Sequence, residues 1–333
     1  MGDFLGFKHG KKSLEEKIDG ARSHQYFNFM EESKSYCFLP GSWMSFAFTD
    51  SNEAYEVVRE NLRFGGSLKK RLASIMLPLV RYTPLSVKLP YDSSNNFPGD
   101  VLIDSRRLKS FDLQDGKVYS LGNHTKEFIE VRKGLNSLNI NAPELFYSDS
   151  ELVVEEYIPT KQFEVFDESR MEPVSEAFEQ LFTFYRYQNM ELIKASELLD
   201  KEKSLIQEVL DRTDREYLAT GIHGDFHIGH IGVTEDETVI YDWQDAGEKG
   251  FIMDDFHNML VQQYKYTKDK SYFKQLKNNE LSPELEKLIE LFKEEFQVSD
   301  EDVFDYYLLF LARKISEEKQ SVYRELLQDA LSH

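Results

Sequence analysis

One segment, residues 221–247, limits the possible folds most, because it sets two carboxylates in a strongly patterned sequence. It reads GIHGDFHIGHIGVTEDETVIYDWQDAG and places Asp225 among glycine, histidine and apolar residues. A polar turn at residues 234–238 follows, and then the apolar run 239–241 and Asp242. This order predicts a loop followed by a β-hairpin. Asp225 at the start of the loop and Asp242 just past the returning strand would then converge on one point.

Two converging carboxylates suit the transfer of a phosphoryl group to a hydroxyl. One carboxylate accepts or orients the proton of the hydroxyl, and the other holds the magnesium ion that bridges the phosphates. Because the transferring group carries developing charge, metal binding and positioning matter more than covalent chemistry. The segment therefore suits a phosphoryl transfer to a hydroxyl that uses Mg²⁺.

The motifs of this segment resemble those of a known family. The run HGDFHIGH at residues 223–230 is similar to the catalytic loop of the aminoglycoside phosphotransferase and choline kinase family, and YDW at residues 241–243 resembles its metal-binding motif. The resemblance implies a protein-kinase-like fold and an ATP-dependent phosphotransferase. It also implies that Asp225 is the catalytic base, that Asp242 is the main magnesium ligand and that His223 braces the catalytic loop.

Two positions depart from the family pattern. The family usually has Asn, as a metal ligand, where this chain has His230. A maltose-kinase-like branch carries Gln there within a similar frame, which favours a sugar as the acceptor. His230 could ligate the metal in place of Asn. Because imidazole suits softer metals than Mg²⁺, it could instead hydrogen-bond a phosphate or a metal-bound water. The second departure is Gly122, which stands where the family has a phosphate-binding lysine, with Lys117 and Lys126 as nearby substitutes.

The chain upstream of this segment looks like the nucleotide-binding lobe of the same family. The likeness rests on the hairpin predicted at residues 111–121 and on the helix and the strand that follow it. It implies that backbone groups of Glu156 and Ile158 contact adenine. It also implies that Glu130, with Glu127 as a competitor, pairs with the phosphate-binding lysine.

These elements predict a two-lobed α+β protein with an added N-terminal segment. We expect residues 1–100 to form a helical extension of unknown role, with helices at 53–63 and 68–77. Residues 101–158 would form the nucleotide-binding lobe, an antiparallel sheet with one helix. Residues 159–333 would form a mainly helical lobe that carries the catalytic loop. The apolar periodicity predicts helices in this lobe at 172–190, 193–211, 253–267, 283–296 and 300–331.

Composition excludes several classes of protein. The chain has 60 acidic and 40 basic residues and a formal net charge of −20, which disfavours a nucleic-acid-binding surface. A single cysteine, Cys37, excludes an internal disulfide and fits a reducing compartment. The N-terminus has no apolar signal-peptide region, and the apolar run 75–80 is too short to span a bilayer. We therefore expect a cytoplasmic protein without a membrane or nucleic-acid partner; no pattern indicates its oligomeric state.

Two other functions stay open. A dinuclear metal phosphoesterase would use GDFH at residues 224–227 and GNH at residues 122–124, although the two motifs occur in the wrong order. A catalytically silent, kinase-like module that binds a nucleotide or a partner is suggested by Gly122 and His230. For an active kinase, a sugar, an aminoglycoside and a choline-like amine all remain possible acceptors.

Overall fold

The computed structural model describes residues 7–28, 33–39, 44–63, 77–78, 86–105, 107–163, 165–199, 204–213, 215–317 and 321–332. The chain forms two compact units. The first comprises Met1–Ile129 and Pro143–Pro159, and the second comprises Glu130–Ala142 and Thr160–His333. The first unit is built on an antiparallel sheet and the second mainly on helices, so the predicted α+β class is confirmed.

The first unit contains one eight-stranded sheet. Its strands are β1 (Ser33–Leu39), β2 (Ser45–Phe48), β3 (Ser86–Pro90), β4 (Val101–Asp104), β5 (Leu108–Asp112), β6 (Lys117–Leu121), β7 (Leu145–Ser148) and β8 (Leu152–Glu156). Their order is β3-β1-β2-β4-β5-β6-β8-β7, and every neighbouring pair is antiparallel. β5 and β6 form the hairpin predicted at residues 111–121, and Gly116 in its turn has a φ of +64°.

The prediction of a helical extension over residues 1–100 is wrong, because β1, β2 and β3 lie in the same sheet as the later strands. In β1 the side chains of Tyr36 and Phe38 are buried, which is the alternation of a strand. α2 (Asn52–Arg63) confirms the first predicted helix. The second, at 68–77, lies outside the described residues except at its last position.

Two helices cover opposite faces of this sheet. On β4 the side chain of Leu102 belongs to one apolar cluster and that of Ile103 belongs to the other, as expected for neighbours on a strand. α1 (Phe7–Ala21) joins the first cluster through Leu14 and Ile18. α2 joins the second cluster through Ala54, Val58 and Leu62. Burial of apolar side chains on both faces is what makes the N-terminal segment part of the sheet unit.

Residues 130–142, which the sequence placed in the nucleotide-binding lobe, belong to the second unit. The division falls inside α3 (Lys126–Leu135), whose first turn is capped by the Thr125 hydroxyl, the acceptor for the Phe128 amide at 3.2 Å. The segment is held in the second unit by Asn141. Its amide donates to the side chain of Gln180 at 2.8 Å, and its carbonyl accepts from the Ile240 amide at 2.9 Å.

The second unit combines helices with two small antiparallel sheets. Its further helices are α4 (Met171–Tyr187), α5 (Ser204–Arg212), α6 (Asp254–Thr267), α7 (Ser271–Asn278), α8 (Pro283–Phe296), α9 (Asp300–Glu317) and α10 (Ser321–Leu331). Its strands are β9 (Lys161–Gln162), β10 (Glu191–Lys194), β11 (Glu216–Ile222), β12 (Ile231–Val233), β13 (Thr238–Ile240) and β14 (Glu248–Phe251). No helix among the described residues has both the length and the apolar character needed to cross a bilayer.

Two helix predictions in this unit need correction. The predicted helix 193–211 is a strand followed by a shorter helix, because β10 pairs with β11 and only α5 is helical. The predicted helix 300–331 is two helices, α9 and α10. The predicted start of α8 is confirmed, since Ser282 caps it and Pro283 occupies its first turn.

The predicted loop and hairpin at residues 221–247 are confirmed. β11 leads into the loop 223–230, and β12 and β13 then pair with Ile231 opposite Ile240. The Tyr241 amide donates to the His230 carbonyl oxygen at 2.9 Å and extends this pairing by one step. The two carboxylate-bearing segments are therefore adjacent in space, as the pattern predicted.

A buried ion pair underlies the start of α6. Asp254, only 1% exposed, accepts from the Arg313 Nε at 2.8 Å and from the Phe251 amide at 3.0 Å. Burial raises the pKa of Asp254 to about 6, although the Arg313 guanidinium opposes the shift. Removal of one partner of such a pair would leave an uncompensated buried charge, which typically costs about 3–5 kcal/mol.

We expect His257 to make this unit sensitive to acid. Its ring is fully buried beside Tyr307 and Phe310, and neither ring nitrogen has a hydrogen-bond partner among the described residues. Burial lowers the pKa of His257 from 6.5 to about 3. Because the unfolded chain binds the proton more readily, the free energy of unfolding should fall as the pH decreases from about 6.5 toward 3.

The check is urea denaturation of wild type and of His257→Leu at pH 7 and pH 4.5. Leucine removes the titration and has a similar volume, so the variant should lose less stability between the two pH values. An equal loss in both proteins would contradict the assignment.

Candidate active site

The loop 223–230 is held by a single carboxylate from α6. Asp255 is fully buried and accepts the amides of His223 at 2.8 Å and Gly224 at 2.9 Å. It also accepts the Tyr185 hydroxyl at 2.8 Å. Burial and the charge of Asp255 raise the pKa of Tyr185 well above its usual value, so this hydroxyl stays a donor. These contacts satisfy the buried charge and fix the start of the loop.

Two further features shape the start of this loop. Gly224 has a φ of +88°, and a Cβ there would lie 2.8 Å from the Asp245 carbonyl oxygen, so only glycine fits. Phe226 is fully buried and packs edge-to-face against Phe178 of α4, with ring centroids 5.2 Å apart. Its carbonyl oxygen accepts from the side chain of Asn258 at 3.1 Å. Asp225 lies between these fixed residues, so its position is well determined.

His223, which the resemblance assigns to bracing the catalytic loop, contacts the second carboxylate-bearing segment. Its side chain is fully buried, and Nε2 lies 2.9 Å from the Tyr241 carbonyl oxygen. The contact joins the start of the loop to the end of β13, next to Asp242. A buried ring in this position connects the two segments.

Asp242 has an unusual backbone conformation. Its φ is +57°, which is uncommon for a residue with a Cβ and is found most often where the surrounding structure requires it. One carboxylate oxygen, Oδ1, accepts from the side-chain amide of Gln244. The other, Oδ2, lies 3.6 Å from Nε2 of His230. The left-handed turn therefore directs Asp242 toward the loop that carries Asp225.

His230 links the two carboxylate-bearing segments. Its Nδ1 lies 2.8 Å from the Asp225 carbonyl oxygen, and its Nε2 faces Asp242. The structure thus brings together the three residues Asp225, His230 and Asp242, which the sequence assigned to catalysis and metal binding. Ligand atoms of Asp225, His227 and His230 also lie within 4.8 Å of one another, a spacing that a metal ion could bridge.

His227 makes a different set of contacts. Its Nδ1 accepts the Gly229 amide at 3.0 Å, and its ring lies over that of His230 with centroids 3.7 Å apart. Burial, together with His230, lowers the pKa of His227 to about 3, so the ring is neutral at pH 7. A neutral imidazole that accepts at Nδ1 carries its proton at Nε2. His227 therefore shapes the turn of the loop.

Tyr266, near the end of α6, is a candidate site residue that the sequence reasoning missed. It is 41% exposed, and burial together with the negative charge of Asp225 raises the pKa of its hydroxyl. Asp255, Gln262 and Tyr266 follow one another at helical spacing and so share one face of α6. The spacing can be read from the sequence. The sequence does not show that Asp255 contacts the loop, so it does not connect Tyr266 with the site.

The residues predicted to contact the nucleotide lie in both units. Glu156 ends β8 and Ile158 follows it in the first unit, whereas Glu130 lies on the exposed side of α3 in the second. The Glu156 amide donates to the Glu144 carbonyl oxygen at 2.8 Å, so only its carbonyl oxygen suits an adenine contact. The three assignments remain predictions.

The substitutes for the missing lysine are also located. Lys117 begins β6 and lies 3.9 Å from Asp115, on the face of the sheet that carries Tyr119. Lys126 is exposed in the first turn of α3. Gly122 has a φ of +147°, and a Cβ there would lie 2.9 Å from the side chain of Arg107. The close approach at Gly122 explains glycine at this position without reference to a nucleotide.

No protein-family model matches the sequence, and no curated protein matches it. Solved structures of kinases are similar. An amicoumacin kinase in complex with AMP-PNP, Ca²⁺ and Ami is 12% identical, with a TM-score of 0.45 over 69% of this chain and 85% of that chain. A choline kinase from Cryptosporidium parvum Iowa II is 13% identical, with a TM-score of 0.43 over 68% and 84%. The aminoglycoside phosphotransferase APH(4)-Ia is 11% identical, with a TM-score of 0.42 over 70% and 86%.

These solved structures are of enzymes in the family that the motifs at residues 223–230 and 241–243 resemble. Their TM-scores are below 0.5. The roles assigned to residues of this chain therefore depend on its own contacts.

We expect Asp255→Asn to destabilise the second unit and to displace the loop. The amide side chain keeps one acceptor oxygen but presents an N–H group to donors. The loss should be about 3 kcal/mol, in the range of hydrogen bonds to buried charged groups. Tyr185→Phe, which removes a single donor, should cost about 1 kcal/mol. Urea denaturation followed by far-ultraviolet circular dichroism measures both. If Asp255→Asn cost no more than Tyr185→Phe, the carboxylate would not be the anchor of the loop.

Proposed function

We propose that this chain is a metal-dependent kinase that transfers the γ-phosphoryl group of ATP to a hydroxyl of a small molecule. The observation that carries the proposal is the contact of His230 with both carboxylate-bearing segments, at 2.8 Å to the Asp225 carbonyl oxygen and 3.6 Å to the Asp242 carboxylate. It holds a candidate base and a candidate metal ligand close together. The motif resemblance at residues 223–243 supports the same reading.

The residues divide the work of the reaction as follows. The Asp225 carboxylate accepts a hydrogen bond from the acceptor hydroxyl and orients its oxygen toward the phosphorus. Asp242 and His230 would hold a divalent cation, with Gln244 fixing the orientation of the Asp242 carboxylate. When bound, the cation neutralises charge on the phosphate oxygens. Asp255, Asn258 and His223 keep the loop in place while the acceptor and nucleotide exchange.

We propose a sugar as the acceptor. His230 replaces the usual Asn, and the same position also varies in the maltose-kinase-like branch. The half-exposed ring of Tyr266, within electrostatic reach of Asp225, offers a flat apolar face on which a pyranose ring could stack. Its raised hydroxyl pKa keeps it a hydrogen-bond donor to a sugar oxygen.

Asp225→Asn should lower kcat by several orders of magnitude while nucleotide affinity survives, because the amide cannot accept the hydroxyl proton. Asp242→Asn should instead weaken the metal-dependent binding of nucleotide. Calorimetric titration with AMP-PNP, with and without Mg²⁺, measures the affinities, and coupled ADP release measures turnover. Asp236→Asn, an exposed carboxylate in the turn between β12 and β13, is the matched control.

No metal-dependent AMP-PNP binding by wild type would exclude the proposed kinase. Binding without turnover across sugars, aminoglycosides and choline would favour the catalytically silent module. Wild-type turnover by Asp225→Asn would remove that residue from its role.

Tyr266→Ala should raise the KM for a sugar acceptor about tenfold or more, since stacking and a hydrogen bond together contribute at least about 1.4 kcal/mol. Tyr266→Phe keeps the ring and should have a smaller effect. Maltose, glucose and choline are suitable acceptors for the assay, and the KM for ATP should not change. Tyr187→Ala, an exposed tyrosine at the end of α4, is the control. Turnover of choline alone would contradict the sugar assignment.

The dinuclear phosphoesterase gains no support from the second motif. His124 of that motif is buried in the first unit. Its Nε2 lies 3.0 Å from the Ser120 carbonyl oxygen, and its ring stacks on Phe128 with centroids 5.4 Å apart. These contacts give His124 a packing role next to α3.

A further inference from the structure

The protonation pattern of His230 follows from its neighbours. Nδ1 lies 2.8 Å from the backbone carbonyl oxygen of Asp225, and a carbonyl oxygen can only accept a hydrogen bond. Nδ1 therefore carries a proton. In the neutral ring Nε2 then presents its lone pair, and this atom faces Oδ2 of Asp242 at 3.6 Å. This is the arrangement by which a second hydrogen bond orients a histidine toward a metal ion.

The oxygen partner of His230 is oriented as well. Gln244 donates to Oδ1 of Asp242, which leaves Oδ2 turned toward the imidazole. Nε2 of His230 and Oδ2 of Asp242 face each other at 3.6 Å, a separation at which one cation can contact both atoms. The side chains of His230 and Asp242 are 15% and 29% exposed, which leaves the cation accessible to nucleotide oxygens and to water.

The neighbouring imidazole does not share this property. His227 lies within the same group of possible ligands, but its Nδ1 accepts the Gly229 amide at 3.0 Å. The proton of the neutral ring is then on Nε2, so neither nitrogen offers a lone pair to a cation. Of the two neighbouring rings, the contacts select His230 as the ligand.

We propose that His230 ligates the catalytic cation through Nε2 and that the site therefore prefers Mn²⁺ to Mg²⁺. This inference rests on the proposed function, because the cation is the one that accompanies the nucleotide. Mg²⁺ strongly favours oxygen ligands, whereas imidazole is a good ligand for first-row transition metals. One nitrogen ligand in place of an amide oxygen should shift the selectivity without altering the role of Asp242.

The test detects the nitrogen ligand directly and needs no acceptor. Electron spin echo envelope modulation is recorded on Mn²⁺ with AMP-PCP and the protein, in which histidine is either unlabelled or labelled with ¹⁵N. We expect a nitrogen coupling in wild type that changes on histidine labelling and is lost in His230→Asn. His227→Asn is the matched control, because Asn can still accept the Gly229 amide as an N-cap, and the coupling should persist.

Calorimetry gives a second, independent result. The ratio of AMP-PCP dissociation constants with Mg²⁺ and with Mn²⁺ should fall at least tenfold in His230→Asn, because an amide oxygen restores a ligand that Mg²⁺ accepts. The ratio should change little in His227→Asn. Circular dichroism melting curves confirm that each variant is folded. If His230→Asn does not fold, the labelled wild type still decides whether a histidine is a ligand.

The possible outcomes separate the two proposals. Binding of Mn²⁺ and AMP-PCP without a histidine coupling overturns the inference and leaves the proposed kinase in place. A coupling that survives in His230→Asn and disappears in His227→Asn also overturns it. Failure of wild type to bind the nucleotide with either cation overturns both.

Discussion

The arrangement of the candidate site depends on the charge of Asp255. A fully buried carboxylate is costly unless donors surround it, and this one accepts the His223 and Gly224 amides and the Tyr185 hydroxyl. Two backbone amides of the loop therefore take the place of water around the charge of Asp255. Loss of these hydrogen bonds would leave the carboxylate in an apolar interior without donors, so the loop and the helix are stabilised together. Asp225 follows Gly224 directly, so the hydrogen bonds to Asp255 also fix its position.

The part of the site that is local in sequence could be predicted. Asp225 and Asp242 flank a turn and a returning strand, and hairpin pairing alone brings them together. The role of Asp255 as an anchor could not be predicted, because its contacts depend on packing between α6 and the loop. Tyr266 depends on the direction of the same helix. Neither follows from periodicity, because a residue's distant neighbours are set by tertiary contacts.

The fold shows the same division between local and distant effects. The start of α8 was predicted correctly, and Ser282 and Pro283 act there on the adjacent turn. β1 was missed because it is polar at its start, and its stability comes from pairing with β2 and β3 on either side. β10 was taken for helix for a related reason, since only its pairing with β11 defines it. Strand pairing between segments is a tertiary property.

The two ends of α6 contribute different residues to the candidate site. Its N-terminal turn, with Asp255, fixes the loop, and Tyr266 lies three turns later, about 16 Å along the helix at 1.5 Å per residue. Under the proposed function, substitutions at the far end alter acceptor recognition without disturbing the carboxylate that holds the loop 223–230. Such a helix allows a lineage, or a protein engineer, to change acceptor preference by replacing a few side chains while the chemical machinery keeps its geometry.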